Sequence, residues 1–366
     1  MNFYSINRGI SKRLHKYFSY KSVVIANRNA LKKRINNLKI NPLKKSEIRE
    51  AKKYYASFGF KNINTDTHRI NTYFSGVFSK EYLPEDLFHS TIEPYLNDYR
   101  IAVGLTDKNY FTLIFKNIKH PQTVLKNING VFYDDDNNLL NEQQAIDHCN
   151  IFEKLIIKPS IDSFGGKGII VFNLKDGVSD YKNQTTKQFL NNSKKNYIIQ
   201  NFLIQNQAME SLNPTSINTL RIITLFWNNQ TNILHSIVRI GRTGSSVDNT
   251  GQGGLFCQIE PDGNLLKKGY DGESNIHFET DTKIKFKDFK IPFYDRVKQE
   301  VKELHNQRPH FKLISWDLAI NNLDETVLIE YNVMGQGIDA YEYTNGPFFG
   351  KFTKEVLKYC GEQKQY

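Results

Sequence analysis

Cysteine is scarce in this chain. Only Cys149, Cys257 and Cys360 occur, far apart and with no CxxC pair, which argues against a disulfide framework or a zinc site and fits a reducing, cytoplasmic setting. No apolar run reaches about 18 residues, so no membrane-spanning helix is expected. The basic N-terminus has no apolar core of the kind a secretory signal carries. Histidines such as His277, His305 and His310 lack metal-ligand spacing. An HRD-like catalytic loop and a DFG are absent, which excludes a protein kinase.

What is present points to a globular protein. The 366 residues are 39% hydrophobic and 13% aromatic, enough for two or three subdomains with a sizeable core. The net charge of +11 is unevenly spread. Residues 1–53 hold 15 Lys or Arg against two acids, Glu47 and Glu50, so this segment carries +13 and the rest −2. The arm has helical spacing, with apolar and aromatic residues between the cations. It suits an anionic membrane surface or a polyanionic carrier, or else is a helix with a solvated basic face. No nucleic-acid-binding motif accompanies the charge, so no nucleic-acid partner is expected.

The pattern along the chain reads as α+β. "KKSEIREAKKYYASFGF" is helical with a stop at Gly59, and "LPEDLFHSTIEPYLNDY" is helix-rich. "IAVGLTDKNYFTLIF" reads as a strand, a turn and a helix start. From residue 153 strands dominate: two short runs around a glycine cluster, then "NYIIQNFLIQ", then a hairpin turning at Asn228 to Asn232. A helix introduced by Pro292 follows, and "HFKLISWDLAI" and "TVLIEYNV" form a last hairpin across "NNLDE". An antiparallel sheet is therefore expected to dominate the C-terminal half.

Two features carry chemistry. In "EKLIIKPSIDSFGGKGIIVFNL", Gly165, Gly166 and Gly168 surround Lys167 between two strands. A P-loop would need a following helix and a Ser or Thr directly after the lysine; Gly168 stands there instead, so the loop is a hairpin tip that would cover a phosphate as a lid. In the last hairpin, Glu330 and Asn332 share a strand face and Asp317 sits on the neighbouring strand. This oxygen cluster suits Mg²⁺ bound together with nucleotide phosphates. Lys158, at the base of the lid, can neutralise a phosphate or be an ordinary edge lysine. Arg221 lies within an apolar strand, where its fork suits a γ-phosphate or acyl phosphate, with a structural salt bridge as the alternative.

The ordered set "LTDKNYF", "KPSIDSFGGKGI", "IIQNFLIQ", "LNPTSINTLRIITL", "VRIGRTGSSVDNTGQGGLFCQI", "IPFYDRV", "ISWDLAI" and "VLIEYNV" spans residues 105–332. It resembles the ATP-grasp superfamily, and within it the sugar-transfer-associated ATP-grasp proteins of bacterial polysaccharide clusters. The resemblance implies an ATP-grasp fold, in which two α+β subdomains clasp ATP, here with a basic helical N-terminal extension. The corresponding division is 1–60 for the extension, 61–150 for an N-terminal α/β subdomain, 151–203 for the lid subdomain and 204–366 for the C-terminal subdomain with the metal site. It further implies nucleotide contacts from Lys108 and Lys158, a mobile loop from Ser163 to Gly168, and adenine held at the backbone of Asn201 and Phe202 beside Gln200. Asn201 stands where many relatives have Glu, and the ribose-binding acid has no clear match. Asp317, Glu330 and Asn332 match the metal ligands, for two Mg²⁺ ions.

The implied reaction joins a carboxylate to an amine through an acyl phosphate, releasing ADP and phosphate, with Arg221 and Lys158 in catalytic roles. The acceptor loop "VRIGRTGSSVDNTGQGG" offers Arg239, Arg242, Asp248, Asn249 and the amides around Gly253 and Gly254. A uronic-acid sugar on a nucleotide or lipid carrier, joined to an amino acid or amino alcohol for capsule or O-antigen, is the leading substrate expectation. Peripheral contact with the inner membrane face would suit such a carrier. A sugar-free amino-acid or peptide ligase, a phosphotransferase and a non-catalytic nucleotide-binding module are the alternatives.

Overall fold

The computed structural model describes residues 3–161 and 165–363, with side chains from Tyr20 onward. Two compact units appear. One comprises Met1–Tyr99, His310–Leu313 and Val333–Tyr366; the other comprises Arg100–Pro309 and Ile314–Asn332. These boundaries cut across the four segments expected from sequence, because residues 61–99 and 333–363 pack with the N-terminal helices.

The first unit is helical. Its main elements are α1 (Phe3–Asn37), α2 (Lys45–Ala56) and α3 (Asp66–Ser75), with helices Asp339–Asn345 and Thr353–Gln363 returning from the C-terminus. In α2 the Lys44 N–H donates to the Glu47 carboxylate at 2.8 Å, and Ala51 and Tyr55 bury one face. Gly76 ends α3 with φ +74°, a left-handed cap that suits glycine. Leu31, Ile35, Ile40 and Ile70 make a buried cluster between α1 and α3. The described portion of the basic helix is thus a packed element of this unit.

The second unit is built on two largely antiparallel sheets. The first contains β1 (Thr123–Ile128), β2 (Val131–Tyr133), β3 (Leu139–Leu140), β4 (Lys154–Pro159), β5 (Ile170–Lys175), β6 (Val178–Ser179), β7 (Gln184–Thr185) and β8 (Tyr197–Asn201), in the order β3-β2-β1-β8-β4-β5-β6-β7. Leu155, Ile157, Phe172 and Ile199 bury one face against Ala145 and Cys149 of helix Glu142–Asn150 and Phe189 of helix Thr186–Asn192. Side chains alternate along a strand, so Lys158 and Gln200 are left on the opposite face.

The second sheet contains β9 (Thr219–Trp227), β10 (Gln230–Ile240), β11 (Leu255–Ile259), β12 (Leu265–Asp271), β13 (Ile276–His277), β14 (Leu313–Ile320) and β15 (Thr326–Asn332), ordered β13-β12-β11-β10-β9-β14-β15. Helix Tyr294–Asn306 buries Val297, Val301 and Leu304 and brings His305 to within 6.2 Å of the Trp316 ring. The Trp316 indole N–H donates to the Thr224 hydroxyl at 2.8 Å. With Trp316 and Thr224 pointing to the helix, Asp317 and Arg221 emerge on the other face.

One element differs from expectation. The segment opening "IAVGL" forms the helix Tyr99–Leu105, not a strand. Its short apolar run carries no period able to separate the two.

Candidate active site

The site is assembled where the free face of the first sheet meets the polar face of the second. Lys108 stands in a single turn of 3-10 helix, Lys108–Tyr110, whose cap is the Asp107 side chain accepting from the Asn109 N–H at 3.0 Å. The Lys108 N–H donates to the Ser160 carbonyl at 3.0 Å, which fixes this turn against the end of β4. Its ammonium then reaches Glu330 Oε1 at 2.7 Å. Lys158 lies beside this pair and is almost fully buried. Burial first, and the Lys108 charge second, push its pKa down to about 8, with Glu330 opposing.

On the second sheet, Asp317 pairs in register with Glu330, and Ser315 with Asn332. The register slips by one between Asp317–Glu330 and Leu318–Leu328, a bulge of the kind that re-aims side chains at functional positions. Asp317 is buried and held by two arginines. Arg221 donates Nε and Nη2 to its two oxygens at 2.7 and 2.6 Å, and Arg239 Nη1 donates at 3.4 Å. Burial alone would raise the Asp317 pKa, but the arginines outweigh it and hold the carboxyl below its ordinary value. Asn332 Nδ2 is buried without a partner.

Several expected contacts are taken up inside the protein. The Arg221 fork, expected to meet a phosphoryl group, faces Asp317. Arg239, expected at a substrate, is buried and donates to Asp248 at 2.7 and 3.2 Å, because a buried guanidinium requires a carboxylate. Arg242 pairs with Asp281 at 2.9 Å. Asn249 caps the turn Thr250–Gln252 by accepting from Gly251 N–H. The Gly253 and Gly254 N–H groups donate to Thr250 and Asn249 carbonyls, each at 3.1 Å, so they form a closed turn and not an anion nest. At the hinge, the Asn201 and Phe202 N–H groups donate to Gln122 and Lys154 carbonyls. Any adenine contact there must use other backbone groups. Gln200 Nε2 donates to the Pro121 carbonyl at 3.3 Å.

In the glycine loop, Gly165, Gly166 and Gly168 all have positive φ, between +69° and +78°, and Lys167 is exposed. Ser163 lies outside the described residues. Sequence reasoning missed Gln252, whose Nε2 donates to the Gly165 carbonyl at 2.8 Å; nothing in "NTGQGG" separates that side chain from ordinary loop polarity. Among the described residues, no three His, Cys, Asp or Glu side chains converge as a metal cluster. A cavity of about 650 Å³ opens on the helix-covered side of the first sheet, beside Tyr181, Phe189 and Tyr197; Lys167 and Gly168 of the glycine loop line it, and none of the acidic site residues does.

The profile of the sugar-transfer associated ATP-grasp family matches residues 87–357. The chain belongs to that family. No curated protein matches. Among solved structures, ATP-grasp ligase PsnB, complexed with a phosphomimetic variant of a minimal precursor, Mg and ADP, is 9% identical with a TM-score of 0.42; the match covers 72% of this chain and 61% of that one. D-cycloserine synthetase DcsG is 11% identical with a TM-score of 0.41, the match covering 73% of each chain. The D-alanyl-alanine synthetase A of Vibrio cholerae is 11% identical with a TM-score of 0.41, over 70% of this chain and 65% of that one. The chain thus covers less than two thirds of the PsnB structure that it matches.

Proposed function

We propose that this ATP-grasp family member is an ATP-dependent carboxylate–amine ligase. The observation that carries the reading is the Lys108–Glu330 contact, which brings the lysine-bearing face of one sheet to the acidic hairpin of the other, with Lys158 buried beside it.

Lys108 and Lys158 would receive the nucleotide phosphates, and the loop containing Gly165, Gly166, Lys167 and Gly168 would fold over them and exclude water. The donor set fits Mg²⁺. Glu330 is partly exposed, and Asn332 would offer its carboxamide oxygen to the metal, leaving its unpartnered Nδ2 to donate to a phosphate oxygen. Asp317 retains one of about four lone-pair positions after its three guanidinium contacts. Two ions held there would supply charge neutralisation between phosphate oxygens. Arg221 acts through Asp317, fixing its orientation and keeping the region positive.

In the reaction, a substrate carboxylate oxygen attacks the γ-phosphorus and ADP leaves. An amine then attacks the acyl carbon, phosphate leaves, and the amine nitrogen loses a proton. The family's association with sugar transfer supports a sugar bearing the carboxylate, a uronic acid on a nucleotide or lipid carrier, with an amino acid or amino alcohol as the amine. A carrier at the inner face of the cytoplasmic membrane would suit the basic residues of the arm, and no described helix is long and apolar enough to cross a membrane.

The test is a nucleotide-release assay with Mg²⁺-ATP, a panel of amines, and UDP-linked uronic acids added or withheld. ADP and phosphate that appear only with both partners present support the ligase. ADP without free phosphate, requiring one acceptor alone, replaces it with a phosphotransferase. Amide formation between amino acids with no sugar present overturns the uronic-acid assignment.

A further inference from the structure

The glycine loop and the acceptor-side loop 248–254 are joined by one side chain that the sequence does not advertise. Gln252 is exposed, yet its amide donates to the Gly165 carbonyl at 2.8 Å. A Cβ on Gly166 would come within 2.9 Å of Gln252 Nε2 and 3.7 Å of the Asn249 Cβ, so the two loops are in contact here, and the φ of +72° at Gly166 favours glycine.

The partner loop is stiff enough to transmit a position. Its turn is closed by Gln252 N–H donating to the Asn249 carbonyl at 3.0 Å and by Gly254 N–H donating to the same oxygen at 3.1 Å. Within the turn, a Cβ on Gly254 would meet the Asp248 carbonyl at 2.5 Å; from behind, one on Gly272 would strike the Thr250 carbonyl. Backbone therefore packs directly on backbone, and the turn has no space to retreat. Its anchor is Asp248, which accepts from the Thr219 hydroxyl and from Arg239 at 2.7 Å. Arg239 reaches on to Asp317 at 3.4 Å. A continuous chain of contacts thus runs from Gly165 through Gln252, the turn, Asp248 and Arg239 to Asp317.

We propose that Gln252 is a positioning residue that ties Gly165 of the glycine loop to the 248–254 turn, so that the placement of Gly165 and the setting of the Asp317 cluster depend on one another. The coupling to nucleotide rests on the ligase reading above; the latch itself does not. Such coupling is reciprocal: what holds the turn in place also holds Gly165, and the reverse. Gln252 touches no reacting atom in this scheme.

The experiment uses the full chain and two variants, Gln252→Glu, which keeps the shape but removes the donor, and Gln252→Ala. Hydrogen exchange is first measured without nucleotide. Peptides covering residues 165–170, where the Ile169 N–H donates to the Gly166 carbonyl at 3.4 Å, are expected to exchange about three- to tenfold faster in both variants because the untied loop opens more often, on the scale of one lost hydrogen bond, with β9 and β10 unchanged. Unchanged exchange at 165–170 overturns the latch. Mg²⁺-ADP affinity is then measured by calorimetry and is expected to weaken about three- to tenfold in both variants. Faster exchange with unaltered Mg²⁺-ADP affinity overturns the coupling. A wild-type chain that binds no Mg²⁺-ADP overturns the nucleotide reading and the coupling with it, while the exchange arm still decides the latch.

Discussion

Asp317 and Glu330 face each other in register but are not equivalent residues. Asp317 neutralises two guanidinium groups in a buried setting, whereas the Glu330 side chain is 26% exposed and meets one lysine. Removing one partner of a buried ion pair costs about 3–5 kcal/mol because the remaining charge is stranded. Asp317→Ala strands two guanidinium groups and is therefore expected to lose more fold stability than Glu330→Gln, which leaves only the Lys108 ammonium without its carboxylate, and both are expected to lose any Mg²⁺-dependent turnover. Thermal melts beside turnover assays check this; equal melting of the two variants refutes the difference. Lys158 permits a second test at this scale. Its pKa falls from 10.5 to about 8 on folding, so below pH 8 the folded protein carries the full cost of a buried cation. That cost fades as the pH rises from 8 toward 10.5, where the unfolded chain still holds the proton. Lys158→Met should stabilise the protein by up to about 3 kcal/mol at pH 7, with the gain shrinking by pH 10, while nucleotide affinity drops. Urea unfolding at the two pH values gives the answer, and a variant that is no more stable at pH 7 contradicts the assignment of a buried cation.

At the level of elements, hairpins are the most legible feature. β9 and β10 turn at Asn228 and Asn229, both with positive φ, the conformation that two-residue turns demand and asparagine tolerates. The glycine hairpin between β4 and β5 and the acidic hairpin β14–β15 are readable for the same local reasons. Helix Tyr99–Leu105 is not, since a short apolar run fits either structure. The Arg221–Asp317 pair spans 96 positions, and no local pattern records which carboxylate a buried arginine will meet. Local pattern therefore reveals the site's strands and loops but not its internal pairings, which occupy Arg221, Arg239 and Arg242. The glycine hairpin also yields a graded prediction. Gly168 has φ +78° and a Cβ there would lie 2.9 Å from Pro159 Cγ, whereas Gly165 has φ +69° and open space. Gly168→Ala should therefore distort the hairpin by both strain and clash, about 1–3 kcal/mol, and Gly165→Ala by strain alone. Mg²⁺-ADP affinity should fall more for Gly168→Ala, with circular dichroism unchanged in both; the reverse order would contradict this geometry.

For the whole molecule, the charge of the first 53 residues suggests a detachable arm, and the structure changes that picture. Among the described side chains, Arg28 pairs with Asp86 and Arg34 with Asp339, each at 2.6 Å, while Leu31 and Ile35 are buried. The second half of α1 therefore serves its own unit through both charge and apolar packing, and deleting it would confuse a binding question with a folding one. Point substitutions separate the two. Leu31→Ala is expected to cost about 2–5 kcal/mol through lost burial and a residual cavity, read as a lowered urea midpoint. Lys32 and Lys33 are exposed, so Lys32→Glu with Lys33→Glu should leave that midpoint nearly unchanged. If the basic helix contacts an anionic surface, the same double variant should weaken binding to phosphatidylserine vesicles by about 1 kcal/mol for each lysine removed, and more once the added acids repel the surface. Vesicle binding equal to wild type, with an unchanged urea midpoint, would show that these exposed charges serve no membrane contact and that α1 acts in this protein as a structural helix.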